Sequence, residues 1–132
     1  MRIAAHIAAV LLGLAFLAAS LLYFLKLVDA PPPPEGSPAA LFMGALYPTG
    51  YLDFVKALEL IGAILVILPW TRRAGLLILG PILVNILAFH VFITGGQGLL
   101  EPMILGIVVC TLFLVWVDRR HWWSFLTARG TT

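Results

Sequence analysis

Long apolar runs separated by short polar breaks dominate the chain. A helix crossing a bilayer core of about 30 Å needs about 20 apolar residues. Four windows meet that length and predict transmembrane helices over residues 3–28, 52–70, 74–94 and 99–117. The second and third are joined by Thr71-Arg72-Arg73, the third and fourth by Gly95-Gly96-Gln97-Gly98. Connections this short force antiparallel neighbours. The first connection is longer, and its run from Pro31 to Pro34 followed by Glu35-Gly36-Ser37-Pro38 cannot be helical. Between Pro38 and Pro48 the apolar stretch from Ala39 to Tyr47 is too short to span, so it predicts a helix lying in the interface or dipping back in. The expected fold class is an all-α membrane protein. Its expected form is a four-transmembrane-helix bundle with a short interfacial or re-entrant helix in the first, outer loop, and one domain covers residues 1–132.

Composition agrees. Apolar residues make up 62% and charged residues 11%, with a mean hydropathy of +1.09, whereas a soluble domain carries roughly a quarter charged residues. The single cysteine, Cys110, leaves no intramolecular disulfide or CxxC pair. A pI near 9.0 would suit nucleic acid, but the arginines fall in short breaks between apolar runs, where topology accounts for them. The first run far exceeds the 7–15 apolar residues of a secretory signal and is expected to be a mature helix.

Charge sets the orientation, because short loops rich in Lys and Arg stay in the cytoplasm. Arg2, Arg72, Arg73, Arg119, Arg120 and Arg129 share one side of the four-span arrangement. Asp29, Glu35, Asp53, Glu59 and Glu101 fall on the other side or in the half of the membrane nearest it. Both termini are therefore expected in the cytoplasm and the proline-rich loop outside. Trp70, Trp116, Trp122 and Trp123 gather at the inner boundary, and Tyr23, Tyr47 and Tyr51 toward the outer one.

Ionisable groups inside a span are costly, so each calls for a partner or a purpose. The second run carries Asp53, Lys56 and Glu59 at successive intervals of three, close enough to pair within one helix. The third carries Asn85 and His90, and the fourth begins near Gln97 and Glu101. At a rise of 1.5 Å per residue, Glu59 and Asn85 lie roughly 12–14 Å below the outer end, and Lys56 and His90 roughly 6 Å below it. These residues, with Glu101 in the upper layer, form the expected polar cluster. Asn85 and His90 are separated by about 140° around a helix, so they cannot both face the second helix squarely.

Two uses of the cluster compete. Its groups can neutralise one another and fix helix register. They can also form a headgroup, quinone or proton site, with Glu59 and His90 exchanging protons. Bis-histidine haem ligation fails, because His6 and His90 lie near opposite ends of their helices. No HExxH, paired Cys or carboxylate-His spacing suggests a metal, and His121 beside two arginines suits headgroup contact. Gly80-Pro81 removes one backbone bond and should bend the third helix near Leu77. Ala9-x-x-x-Gly13 and Gly106-x-x-x-Cys110 permit close helix contact, so a homo-oligomer is one expected use of them.

The segments Phe42-Met43-Gly44-Ala45-Leu46, Thr49-Gly50-Tyr51-Leu52 and Lys56-Ala57-Leu58-Glu59-Leu60-Ile61-Gly62 resemble the DoxX family of small four-helix bacterial membrane proteins. So does Pro81-Ile82-Leu83-Val84-Asn85-Ile86-Leu87-Ala88-Phe89-His90, with the family's pattern of Pro, Asn and Phe-His. The Asn-Gly pair common near the outer end of the family's first helix is here Leu22-Tyr23. The resemblance implies a bundle with cytoplasmic ends in the bacterial inner membrane, with Lys56, Glu59, Asn85 and His90 as the matching polar residues. Family roles differ, from a subunit passing electrons from thiosulfate to quinone to a partner in oxidative-stress complexes. The leading expectation is a non-catalytic membrane subunit or anchor of a larger, redox-associated complex, holding no cofactor of its own. A quinone-reactive oxidoreductase subunit is the alternative, with quinone as its cofactor. A small-solute or lipid transporter follows, disfavoured because no inverted repeat is evident.

Overall fold

The structure, a computed structural model, describes residues 2–130, and these are helical without any strand. Helix α1 runs Arg2–Phe24, α2 Pro38–Leu46, α3 Tyr51–Ile67, α4 Arg72–Ala88, α5 Pro102–Val117 and α6 Arg119–Thr127. A π-helical turn, Phe89–Ile93, continues α4. Two helices are long and apolar enough to cross a membrane: α1 and the run Arg72–Ile93. A third qualifies only if α5 and α6, bent by 71° at Asp118, are taken together. Helices α3 and α5 rise only about 25 Å each, short of a core of about 30 Å, and α3 carries three charges.

Each predicted run contains a helix, and local chemistry explains where the boundaries moved. Helix α1 stops at Phe24 instead of residue 28 because Lys26 takes a left-handed conformation (φ 54°). There Lys26 N donates to Tyr23 O and Leu27 N to Leu22 O, the paired bonds of a Schellman ending. Ser37 caps α2, its Oγ accepting from Ala40 N at 3.2 Å, and Pro38 fills the first turn. Pro69 holds Leu68 extended and ends α3. Gly98, at φ 78°, carries the chain into the turn before α5, so α5 begins at Pro102 with Glu101 as its N-cap. Pro81 lies inside an unbroken α4. Helix α6, which hydrophobic-run length did not foresee, turns Trp122, Trp123, Phe125 and Leu126 to one side and Arg120, His121 and Ser124 to the other.

Helix α1 packs on α3 and α5, and α3 packs on α4, while α4 and α5 scarcely meet. The core is built from Ala9, Leu12 and Phe16 of α1, Ala63 and Val66 of α3, Leu79 and Leu83 of α4, and Ile107 and Leu114 of α5. Small residues set the approach. A Cβ on Gly75 would stand 2.5 Å from Val66 N, and one on Gly13 would stand 2.9 Å from Ala63 O. The Ala9/Gly13 spacing is therefore used inside the molecule, between α1 and α3. Gly106 meets nothing within 4 Å and borders a small apolar groove between α1 and α5.

Candidate functional site: a polar cluster at the acidic end of the bundle

Arg2, Arg72 and Arg73 collect at one end of the bundle, and Asp53, Lys56, His90 and Glu101 at the other. At the second end α1 and α3 run antiparallel, with Gly13 against Ala63 and Tyr23 against Asp53. This register sets Ser20 level with Lys56.

Of the three charged residues on α3, Lys56 selects Glu59. Its Nζ lies 3.0 Å from Glu59 Oε2, and Glu59 is 3% exposed. A carboxylate this buried requires a counter-charge, and the intrahelical spacing supplies it. Asp53, exposed one turn nearer the helix start, accepts instead from the Tyr23 hydroxyl at 2.6 Å. The Lys56 ammonium also sits 5.9 Å from the centroid of the Tyr23 ring, within cation–π range. One lysine thus serves a buried carboxylate and an aromatic face, and a phenol serves the remaining carboxylate.

Ser20 is fully buried on α1, and its hydroxyl has no hydrogen-bond partner among the described residues. Buried hydroxyls are normally paired, and this one stands out at the level of Lys56. Tyr23 and Ser20 were absent from the sequence-predicted cluster. Their signal was available: Gly13, Phe16, Ser20 and Tyr23 follow helical spacing on the face of α1 that packs on α3.

His90 forms a second group. Its Nδ1 donates to Ile86 O at 2.8 Å, which leaves Nε2 as an acceptor in the neutral ring. His90 Nε2 and Glu101 Oε1 both lie within 4 Å of the position a Cβ would take on Gly98. Glycine there lets the loop come close to the imidazole. The π-helical turn places His90, with Thr94 Oγ1 at 2.9 Å and Gly96 N at 2.6 Å both donating to the His90 carbonyl. Widened turns of this kind recur at functional sites. Helix α2 rests across this end, with Phe42 against Phe89 at 5.1 Å and Tyr47 against Tyr23 at 6.2 Å between ring centroids.

The expected layering is only partly realised. Asn85 does not join Glu59: it is exposed on α4 and makes no side-chain hydrogen bond with the described residues. The rotation of α4 about its axis is the reason: the face that carries Leu79 and Leu83 into the core leaves Asn85 turned away from it. No hydrogen bond or ion pair joins Glu59 to His90. The six expected residues therefore divide into Asp53, Lys56 and Glu59 on α3, His90 with Glu101 around Gly98, and a solitary Asn85. His6 lies at the opposite end, bonded to Arg72. No family model, curated protein or solved structure matches the chain.

Proposed function

We propose that the chain is a non-catalytic, four-span subunit of the bacterial inner membrane. In this reading it anchors a larger, redox-associated complex through the exposed flank of α4, with both ends in the cytoplasm. Asn85 carries the proposal. An amide left without a partner in hydrocarbon is costly, and helices in membranes use Asn side chains as interhelical glue. Leu77, Val84 and Phe92 extend the same exposed side of α4, with Phe92 81% exposed. They give a neighbouring helix an apolar surface around one hydrogen-bonding group. The Lys56–Glu59 pair, already neutralised within α3, fits a structural role beside that contact. Flanking turns and the amphipathic α6 would make up the few ångströms by which α3 and α5 fall short of a full span. The DoxX resemblance supports the same class of role.

Purification from the native membrane in mild detergent tests this. The wild-type chain is expected to bring down a second, chromophore-bearing polypeptide. Asn85→Leu should lower that recovery about fivefold or more, the loss of an interhelical bond of about 1–2 kcal/mol. A lone, colourless wild-type protein overturns the proposal.

The second reading, a quinone-reactive subunit, draws on His90 Nε2 and Glu101 flanking Gly98. Quinone reduction takes up protons, and an imidazole acceptor beside a carboxylate at the bundle end could supply a route for them. Quinone in a solvent extract of the pure protein, with turnover lost in Glu101→Gln and His90→Gln, supports it. Normal turnover in both variants removes the proton role.

A further inference from the structure

The opposite end of the bundle holds a cleft of about 610 Å³ that the polar cluster does not use. Arg2 and His6 of α1 and Arg72 and Arg73 of α4 form its polar side, and Ile3, Ile7 and Leu114 are among its apolar walls. Two of its charges cancel. Arg73 grips Asp118 with both Nε (3.0 Å) and Nη2 (3.3 Å), and His121 Nδ1 lies 3.5 Å from the same carboxylate.

The other two cations, Arg2 and Arg72, make no direct ion pair among the described residues, although Asp118, already held by Arg73, also feels the Arg72 charge. Arg72 Nε donates to Val66 O at 3.3 Å and its Nη2 to His6 Nδ1 at 3.1 Å, which orients the guanidinium without neutralising it. No carboxylate among the described residues lies within 4 Å of Arg72 or Arg2. A guanidinium held by neutral acceptors keeps its remaining N–H groups free for an anion, and its planar fork suits phosphate oxygens. Arg2, on the first turn of α1, brings a second charge to the same cleft.

We infer that this cleft binds an anionic glycerophospholipid, its phosphate between Arg2 and Arg72 and the upper part of an acyl chain along Ile3, Ile7 and Leu114. A soluble phosphate would use the arginines alone and gain nothing from three apolar walls. A zwitterionic lipid brings the same phosphate but also a quaternary ammonium, which the arginines lining the cleft repel, so an anionic headgroup fits better. The cleft combines both demands at the end of two membrane-length helices, close to the Trp-bearing α6, where lipid headgroups lie. The inference requires only that these helices sit in a bilayer and is independent of the partner proposed for Asn85.

Native mass spectrometry of the full chain in neutral detergent, titrated with phosphatidylglycerol or phosphatidylcholine, tests it. Phosphatidylglycerol should be retained preferentially. Arg2→Gln should weaken that retention about fivefold and Arg2→Gln with Arg72→Gln roughly 25-fold, while the weaker phosphatidylcholine retention changes less, so that the preference narrows. The Arg2 side chain makes no hydrogen bond or ion pair with the described residues, so the single variant reads binding even if loss of Arg72 disturbs the fold. Equal retention of the two lipids, or full phosphatidylglycerol binding by Arg2→Gln, overturns the inference. Displacement of the lipid by inorganic phosphate at matched concentration also overturns it, by assigning the site to the free anion. Loss of lipid binding when two copies associate would assign the cleft to a second chain and reject the lipid.

Discussion

Tyr23 of α1 donates its hydroxyl to Asp53 of α3 at 2.6 Å, and this is the only side-chain hydrogen bond joining those two helices at the acidic end among the described residues. It leaves Lys56 to Glu59 and gives the second carboxylate of α3 a neutral donor. Tyr23→Phe should therefore leave Asp53 without a partner. The loss should be roughly 1 kcal/mol, the usual size for a partly solvated hydrogen bond. Thermal unfolding in detergent, followed by tryptophan fluorescence, should show a midpoint a few degrees lower; an unchanged midpoint would mean that water replaces the phenol fully.

Lys56→Met removes the counter-charge from a carboxylate that is almost fully buried. The expected cost is about 3 kcal/mol, because the remaining charge is stranded. Adding Glu59→Gln should recover most of the loss, since a neutral amide in that place needs no cation. A double-mutant cycle by chemical denaturation reads the coupling. Additive losses in the two single variants would show that the pair does not act as a unit.

Glycines predict opposite outcomes on one helix. A methyl group on Gly75 would meet the backbone of Val66, which cannot yield as a flexible side chain can. Gly75→Ala should force α3 and α4 apart and cost roughly 1–3 kcal/mol. Gly80→Ala meets nothing within 4 Å and should be neutral or slightly stabilising through its better helix propensity. The unfolding midpoint of Gly75→Ala should fall below the wild type, and that of Gly80→Ala should match or exceed it. Equal losses would contradict the close approach at Gly75.

Asp118 gives a pH dependence. The hydrogen bond from Arg73 holds its carboxyl below the ordinary range, with partial burial pulling the other way. A lowered folded-state value means that ionised Asp118 favours the folded chain. That contribution is complete above the ordinary carboxylate value of about 3.9 and is lost as pH falls through the depressed folded value. Acidification from about pH 6 to about pH 2 should therefore lower the wild-type unfolding midpoint more than that of Asp118→Asn. Parallel pH curves for the two proteins would remove the Arg73–Asp118 contact from the account.

Much of the helix layout is legible in the sequence. Run length found the body of every long helix, the apolar stretch between Pro38 and Pro48 announced α2, although Pro38 itself, read as non-helical, opens that helix, and the prolines and glycines located the breaks. Where boundaries slipped, the cause was local backbone chemistry that hydropathy does not register, such as the left-handed Lys26 or the N-cap at Glu101. Helix α6 escaped because a short amphipathic segment carries too few apolar residues to stand out in a window sized for a span.

The candidate site was legible as a set of residues but not as an arrangement. Charge spacing on α3 brought Lys56 within reach of both Asp53 and Glu59, and only burial of Glu59 decided between them. Asn85 and Glu59 shared a depth, yet the rotation of α4 about its axis separated them.

By itself the sequence determined that the chain is helical, membrane-like in composition, and divided into an arginine-rich end and an acidic one. These follow from apolar run length, proline and the cost of burying charge, all of which act locally along the chain. Tertiary structure alone decided which face of each helix turns inward, that Tyr23 meets Asp53, that Gly98 opens room for His90, and that Arg2 and Arg72 share a cleft. The physical reason is that these helices are apolar nearly all round. In water a polar face marks the outside of a helix, but among apolar faces hydrophobicity does not distinguish core from surface. Shape then decides, through small residues such as Gly13 and Gly75 that admit a neighbouring backbone.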